Sequence, residues 1–456
     1  MSRGANGSMH LDLCDDLVRR ALAQGAADAE VFYRKVRKLE AMFEKNDLQV
    51  PKGDTYEGVG IRVLLGGSNG ARLGFAATNL LTPESLENAL SAAIAIAHAS
   101  PEDANHSLPE PAPAKPVLGI YDQSAEELTL RDALDQGRLM LEAARGADPR
   151  VTLDSAMYTI EVSEKAIVSS RGVRLSEKRS LFVCQAMAFA RDGETVSSFD
   201  MEVGASSRMS GMDPAALGRR LGEKVVATLG ATTIPSFRGA VIIAPYAGMD
   251  LIVSPITFSS DAENVQTGRS KWKGMLGAQV LSPLLSVIDD PSIPGGASST
   301  AFDREGVPAR RLELVKDGVL NHYLYNCYTA RKDGVASNGR AAGTDQNTPS
   351  IAPTNFAIAP GERSLDEMMA ACSKGLIVNR FSGNLDEVSG DFSGVVKGGY
   401  YVEAGKIVCP VREAMIAGNI YDLLRQVTGV SRESVEIADI RLPYVQFDGC
   451  SVTGKQ

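Results

Sequence analysis

Residues able to do chemistry are sparse in this chain. A hydrolytic zinc needs three protein ligands and one open position, usually beside a carboxylate that takes the water's proton. Yet no histidine lies between His106 and His322. The cysteines, Cys14, Cys184, Cys327, Cys372, Cys409 and Cys450, stand singly, with no Cys-x-x-Cys. What remains is one Cys/His couple and a few carboxylates. His322 and Cys327 could form a nucleophile and its base, but on a helix five residues would set them about 140° apart. A tyrosine-rich element packed on the core is the simpler reading of Leu320–Arg331. Asp303, Glu305 and Asp391 could do general acid/base work if they converge in a cleft, and otherwise serve turns and caps. Ser337, Asn338, Gly339 and Gly343 form a small-residue loop that a peptide backbone could approach closely, or else a simple surface turn. It lacks the Gly-Lys-Ser/Thr ending of a phosphate loop. His98 suits the last turn of a helix, and His106 sits in a linker.

The elements that must position these residues read as follows. Leu11–Gln24 repeats apolar residues at helical spacing and stops at Gly25. Ala29–Glu44 alternates in twos. Gly58–Leu65 and Ala71–Ala76 flank Gly66-Gly-Ser-Asn-Gly70 as a hairpin. Thr82-Pro83 opens a helix to about Ala99, and Pro101–Pro116 is a proline-rich linker. Ala125–Gly146 and Pro214–Thr228 read as helices, with Tyr158–Val162 and Ser180–Met187 as strands between them. Beyond Phe237 glycine and short strands dominate, with helices near Leu365–Cys372 and Asn419–Val427. Strands and helices do not strictly alternate, which predicts α+β. Four segments follow: an N-terminal α/β domain with a hairpin (1–100), a linker (101–117), a middle α+β domain (118–235) and a glycine-rich, β-dominated C-terminal domain (236–456).

Composition sets outer limits. The chain is 44% apolar and 23% charged, as an ordinary globular protein is. A net charge of −9 opposes a phosphate-tracking surface, so no direct nucleic-acid role is expected. No apolar run approaches the roughly 20 residues of a membrane span. Met1–Gly7 lacks the charged start and apolar core of a signal peptide. A cytoplasmic protein with reduced thiols is expected.

Three stretches, Ser299-Thr-Ala-Phe-Asp-Arg-Glu-Gly306, Ser389-Gly-Asp-Phe-Ser-Gly394 and Pro410-Val-Arg-Glu-Ala-Met-Ile-Ala-Gly-Asn419, resemble in order and spacing the TldD/PmbA family. The match is nearer to its PmbA (TldE) branch. Glu57–Val63 and Gly74–Asn79 extend the likeness, more diffusely, to the N-terminal part. The sister TldD branch carries a zinc-binding His-Glu-x-x-x-His helix, where this chain has Leu251-Ile-Val-Ser-Pro-Ile-Thr-Phe-Ser-Ser-Asp-Ala-Glu263. The branch's further ligand, a cysteine near the C-terminus, is missing from Val435–Ile440, and Cys450 lies some ten residues later.

The resemblance implies a cytoplasmic two-subunit peptidase that trims small unfolded peptides, antitoxin and peptide-antibiotic precursors among them. Zinc would be held by a TldD-like partner and none by this chain. Its residues would wall a chamber and bind peptide through Ser337, Asn338, Gly339 and Gly343, and any link to DNA gyrase would be indirect. Two alternatives stay open. One is a homodimeric hydrolase working through Asp303, Glu305, Asp391 or Cys327, and the other is a peptide-binding scaffold without catalysis.

Overall fold

The alternation from Ala29 onward sets strand β1 (Asp28–Glu44) in a computed structural model that describes residues 5–455. The start of the Met1–Gly7 stretch lies outside them. Ala29, Val31 and Tyr33 of β1 pack under α1 (Ala5–Ala23) and α2 (Pro83–Ala99). Leu39, Ala41 and Phe43 keep the same parity and pack with α3 (Leu130–Ala147) and α4 (Pro214–Ala227). Period-two alternation therefore places four helices on one face of the strand.

β1 is central in a nine-stranded antiparallel sheet. The order is Glu102–Asp103, β3 (Ala71–Thr78), β2 (Lys52–Gly66), β1, β4 (Val151–Ser169), β5 (Arg174–Asp192) and Thr195–Val196. A further strand, β6 (Asp200–Ser206), pairs with β5, and Asp47–Leu48 pairs with β1. The expected hairpin is β2–β3, with Gly70 at φ +141° in its turn. Tyr158–Val162 and Ser180–Met187 form the middles of the two 19-residue strands β4 and β5. Because β1 pairs with β4 from Glu30↔Ser169 to Glu44↔Ser155, segments 1–100 and 118–235 contribute to one sheet.

A thirteen-stranded sheet follows. Its main path runs Val319–Leu320, β9 (Leu312–Lys316), β8 (Val287–Asp289), β10 (Phe356–Ile358), β18 (Ile440–Thr453), β7 (Phe237–Ile243), β11 (Lys374–Val378), β14 (Gly399–Glu403) and β15 (Lys406–Val411). Off this path, β12 (Arg380–Leu385) pairs with β13 (Asp391–Lys397), β13 with β16 (Met415–Asn419), and both β16 and β17 (Val427–Ile437) with β18. Its core holds Trp272, Phe356 and Phe447, each 1% exposed. The whole is α+β. No described helix is long and apolar enough to cross a membrane.

Candidate functional site

The opposite face of β1 carries the junction between the sheets. Glu30 stands directly across the ladder from Arg62 on β2. Arg62 bonds Glu30 at 2.5 Å and Glu305 at 2.8 Å, and Arg304 bonds the other oxygen of Glu30 at 2.9 Å. All four are buried. The Arg304 guanidinium also lies 3.9 Å from the Phe32 ring centre, and Phe302 packs with Phe32, Ile167 and Val173. The Ser299–Gly306 stretch thus plugs the second sheet into the first with an aromatic, Phe302, followed by three charged residues, Asp303, Arg304 and Glu305. Close approach is enforced nearby, since a Cβ on Gly60 would sit 2.3 Å from the Asp345 carbonyl oxygen.

Buried charges persist only when paired and hydrogen-bonded, and each of these four is paired, although Arg62 Nε and Arg304 Nη2 are left without a hydrogen-bond partner. Burial alone would lower the Arg62 pKa, but Glu30 and Glu305 outweigh it and raise it. Arg304 goes the other way, lowered because its desolvation dominates. Asp303 accepts the amides of Glu305 and Val307 at 2.9 Å and of Ala341 at 3.0 Å. Burial, then the adjacent Glu305 charge, push its pKa up to about 7 against those three amides.

Glu305 turns its second oxygen to the amide of Cys327 at 2.7 Å, at the start of α5 (Cys327–Lys332). Asn326 caps that helix by accepting the Thr329 amide at 2.9 Å. Burial, then Glu305 and Asp303, raise the Cys327 thiol pKa far above its ordinary value, so the thiolate is disfavoured. The segment before Cys327 is strand and loop, and His322 is exposed on it. His322 and Cys327 therefore face different surroundings.

Beside Cys327 opens a cleft of about 470 Å³. One wall is Leu108, Pro109 and Ala112 of the proline-rich stretch, and the other is Cys327, Val335 and Ser337. That stretch is strapped down: Tyr328 donates to Asp103 at 2.8 Å and Arg331 to the Ala104 carbonyl at 3.0 Å. His106 lies against Tyr328, its pKa lowered by burial.

Of the small-residue loop, only Ser337 lines the cleft. Asn338 is buried, accepting the Tyr325 amide at 2.9 Å and donating to the Tyr323 carbonyl at 2.7 Å. Gly339 has φ +77°, and a Cβ there would meet the Pro308 carbonyl at 2.8 Å. Gly343 has φ +125° and faces Asn347. The loop is anchored by Arg340, fully buried, which pairs with Asp289 and donates to the carbonyls of Asn338 and Gly339 at 3.0 Å. Arg340, Arg62, Arg304 and Glu30 escaped the sequence reading. An arginine inside a run of small residues was the available signal for the first, whereas the others are legible only once topology joins them.

Asp391 is remote from this cluster. It is exposed on β13 and accepts from the Asn419 amide at 2.9 Å. Among the described residues no group of three or more His, Cys, Asp or Glu is placed to hold a metal ion. Leu251–Glu263 is helical, through a π turn at Met249–Val253, then Ser254–Ser260 and Ala262–Gln266. Three of its hydroxyls are engaged, Ser254 with Glu387, Ser259 with Tyr421 at 2.8 Å, and Ser260 with the Ile256 carbonyl at 2.8 Å, while the Thr257 hydroxyl is buried without a hydrogen-bond partner. Asp261 caps the next helix, accepting from the Glu263 amide at 2.8 Å. With no imidazole, no thiolate and a single exposed carboxylate, Glu263, beside the capping Asp261, that donor set does not supply the three protein ligands a hydrolytic zinc takes.

Three domain models of one family match in order: PmbA/TldA metallopeptidase domain 1 at 29–97, the central domain at 123–229 and the C-terminal domain at 236–454. The chain belongs to the PmbA/TldD family. Metalloprotease PmbA of Escherichia coli O157:H7 is 26% identical to this family member over 446 residues, 94% of each chain. The PmbA homologue of Haemophilus influenzae is 25% identical, covering 94% of this chain and 93% of its own. Among solved structures, a Thermotoga maritima protein described as a candidate modulator of a DNA gyrase superposes with a TM-score of 0.86 at 28% identity, covering 97% and 99%. TldE of Thermococcus kodakarensis superposes with a TM-score of 0.87 at 21% identity, covering 97% and 100%, which speaks for the fold.

Proposed function

We propose that this PmbA/TldD-family chain is the peptide-binding, non-metal subunit of a cytoplasmic TldD/TldE-type peptidase. A TldD-like partner would supply the zinc, and small unfolded peptides would be the substrates. One observation carries the reading: the buried candidate catalytic groups are spent on structure. Glu305 is taken up by Arg62 and the Cys327 amide, and Asp303 by three amides, while an open cleft runs beside them. Concave sites of several hundred Å³ with a few polar groups are the usual ligand seats. An extended peptide would lie between the proline-rich stretch and Ser337, held mainly through its backbone.

The test is reconstitution with a TldD-like chain. The mixture should hydrolyse an unfolded peptide in a chelator-sensitive way, and this chain alone should not. Metal analysis of the dialysed chain should find far less than stoichiometric zinc. Chelator-resistant hydrolysis by this chain alone, or a full zinc equivalent bound to it, would sink the proposal.

A further inference from the structure

The second sheet parts where β18 leaves its neighbours. β17 follows β18 as far as Val427↔Phe447, and β16 rejoins it only at Ile416↔Val452 and Met415↔Thr453. Between these ladders Asp448–Ser451 have β7 on one side and no paired strand on the other. Ala417–Asn419 of β16 likewise pair only with β13.

A cavity of about 170 Å³ lies at this split. Its floor is Val241, Ile243, Leu251, Ile416, Ile420 and Phe447, none more than 4% exposed. Its mouth is formed by exposed Ala417, Gly449 and Ser451, with Cys450 half-buried beside them. An apolar cavity of about 150 Å³ stays dry and accepts a benzene ring. A space slightly larger, with no polar side chain in its floor, therefore selects a phenyl or branched aliphatic group.

Two features mark this as more than a packing defect. Leu251 belongs to the π turn Met249–Val253, a distortion of the helical ladder that is frequent at functional sites. The mouth is also flanked by two strand segments lacking a ladder partner on the facing side, the arrangement an added extended chain uses. A free small molecule would find nothing in the floor to orient it, whereas a peptide brings its own backbone to the strand edges.

We infer that this cavity is a subsite for one aromatic or branched aliphatic side chain of an extended peptide. The inference rests on the peptide-binding reading above and places a second contact apart from the Ser337 cleft.

Cys450 reports on occupancy. Its pKa is raised to about 11 by burial and then by Asp448, with Arg238 acting in opposition, so alkylation is slow and easily followed. The full chain is treated with N-ethylmaleimide at mildly alkaline pH, and Cys450 modification is followed by peptide mass spectrometry. Cys409, half-buried on β15, is the internal control. The probes are toluene and the capped tripeptides Gly-Phe-Gly, Gly-Leu-Gly and Gly-Lys-Gly. Toluene and the Phe and Leu peptides should slow Cys450 labelling about tenfold at ten times their dissociation constants. The Lys peptide should not, and Cys409 labelling should be unchanged throughout. Ala417→Trp, a substitution at the exposed mouth, should abolish the protection while circular dichroism shows a native fold.

Protection by toluene but by neither apolar peptide would overturn the inference and leave only an apolar void. Protection by no probe would overturn it as well, as would full protection in a folded Ala417→Trp. The assay needs neither partner nor turnover, so its failure is separable from failure of the reconstitution.

Discussion

At Glu305 the carboxylate is 1% exposed and held by Arg62 and the Cys327 amide, whereas at Asp391 it stands in solvent beside one asparagine. Both residues sit in glycine-bounded stretches that resemble family motifs, and from sequence they look alike. The difference lies in what surrounds them. Around Glu305 two sheets meet, water is excluded, and each charge must be answered by another. At Asp391 the strand is paired but the side chain points to solvent, which screens the charge. A motif carboxylate is thus a weak indicator of chemistry until its burial is known, and here the buried one is a clasp.

The largest effect should come from opening that clasp. Arg62→Leu leaves Glu30 without its 2.5 Å partner and Glu305 without its 2.8 Å partner, inside the junction. Stranding buried charges typically costs about 3–5 kcal/mol. Urea unfolding should show a loss of that order, or the variant should fail to accumulate as folded protein. A loss below about 1 kcal/mol would put the pair on the level of a surface bridge and break the comparison.

This clasp also marks the border of what sequence makes visible. Local signals read well: Thr82 accepts the Ser85 amide at 3.2 Å ahead of Pro83, and α2 ends at Ala99. The β2–β3 hairpin and the non-alternating α+β order came from short-range turn chemistry and periodicity. α1 is already helical at Ala5, the first described residue, ahead of the Leu11 from which the apolar spacing runs. The seam was not readable, because Arg62 and Glu305 are 243 positions apart and meet only through sheet topology. Arg340 was overlooked for the opposite reason. It lies within the quoted small-residue loop, whose glycines suggested ligand approach, while the arginine's pairing with Asp289 anchors the loop.

Asp303 should give the next effect, visible as a pH slope. Its pKa rises from 3.8 in the free state to about 7 in the fold. The native state therefore holds this proton more tightly than the unfolded chain does. Its contribution to stability is greatest below about pH 4, falls as pH rises toward about 7, and is flat above. Asp303→Asn removes that titration while giving up an acceptor for the backbone amides, a loss of about 1–3 kcal/mol. Thermal melts from pH 4 to pH 8 should show the wild type losing its advantage over the variant as pH increases. A difference independent of pH would mean that Asp303 is ionised throughout and that the three amides win over burial.

Cys327 tests whether the clasp has a catalytic side. Its thiol borders the cleft yet is held protonated by burial and by Glu305. Cys327→Ala should leave turnover by the reconstituted complex within about threefold at saturating peptide, far from the 10²–10⁴-fold of a lost acid/base group.

The smallest effect is expected at the exposed partner in the comparison. Asp391→Asn keeps the size of the side chain and an oxygen that accepts from the Asn419 amide, now 2.9 Å from Asp391. Surface substitutions away from caps and cores usually stay within about 0.5 kcal/mol, and urea unfolding should place this one there. Turnover by the reconstituted complex should also be unchanged within about threefold. The two readouts separate the remaining cases. A stability loss alone would show that the Asp391–Asn419 contact braces β13 against β16, extending the structural role from the buried carboxylate to the exposed one. A fall in turnover beyond about a hundredfold at unchanged stability and assembly is the scale of a lost catalyst. It would make the solvent-facing carboxylate the chemical one and return the chain to the self-sufficient hydrolases.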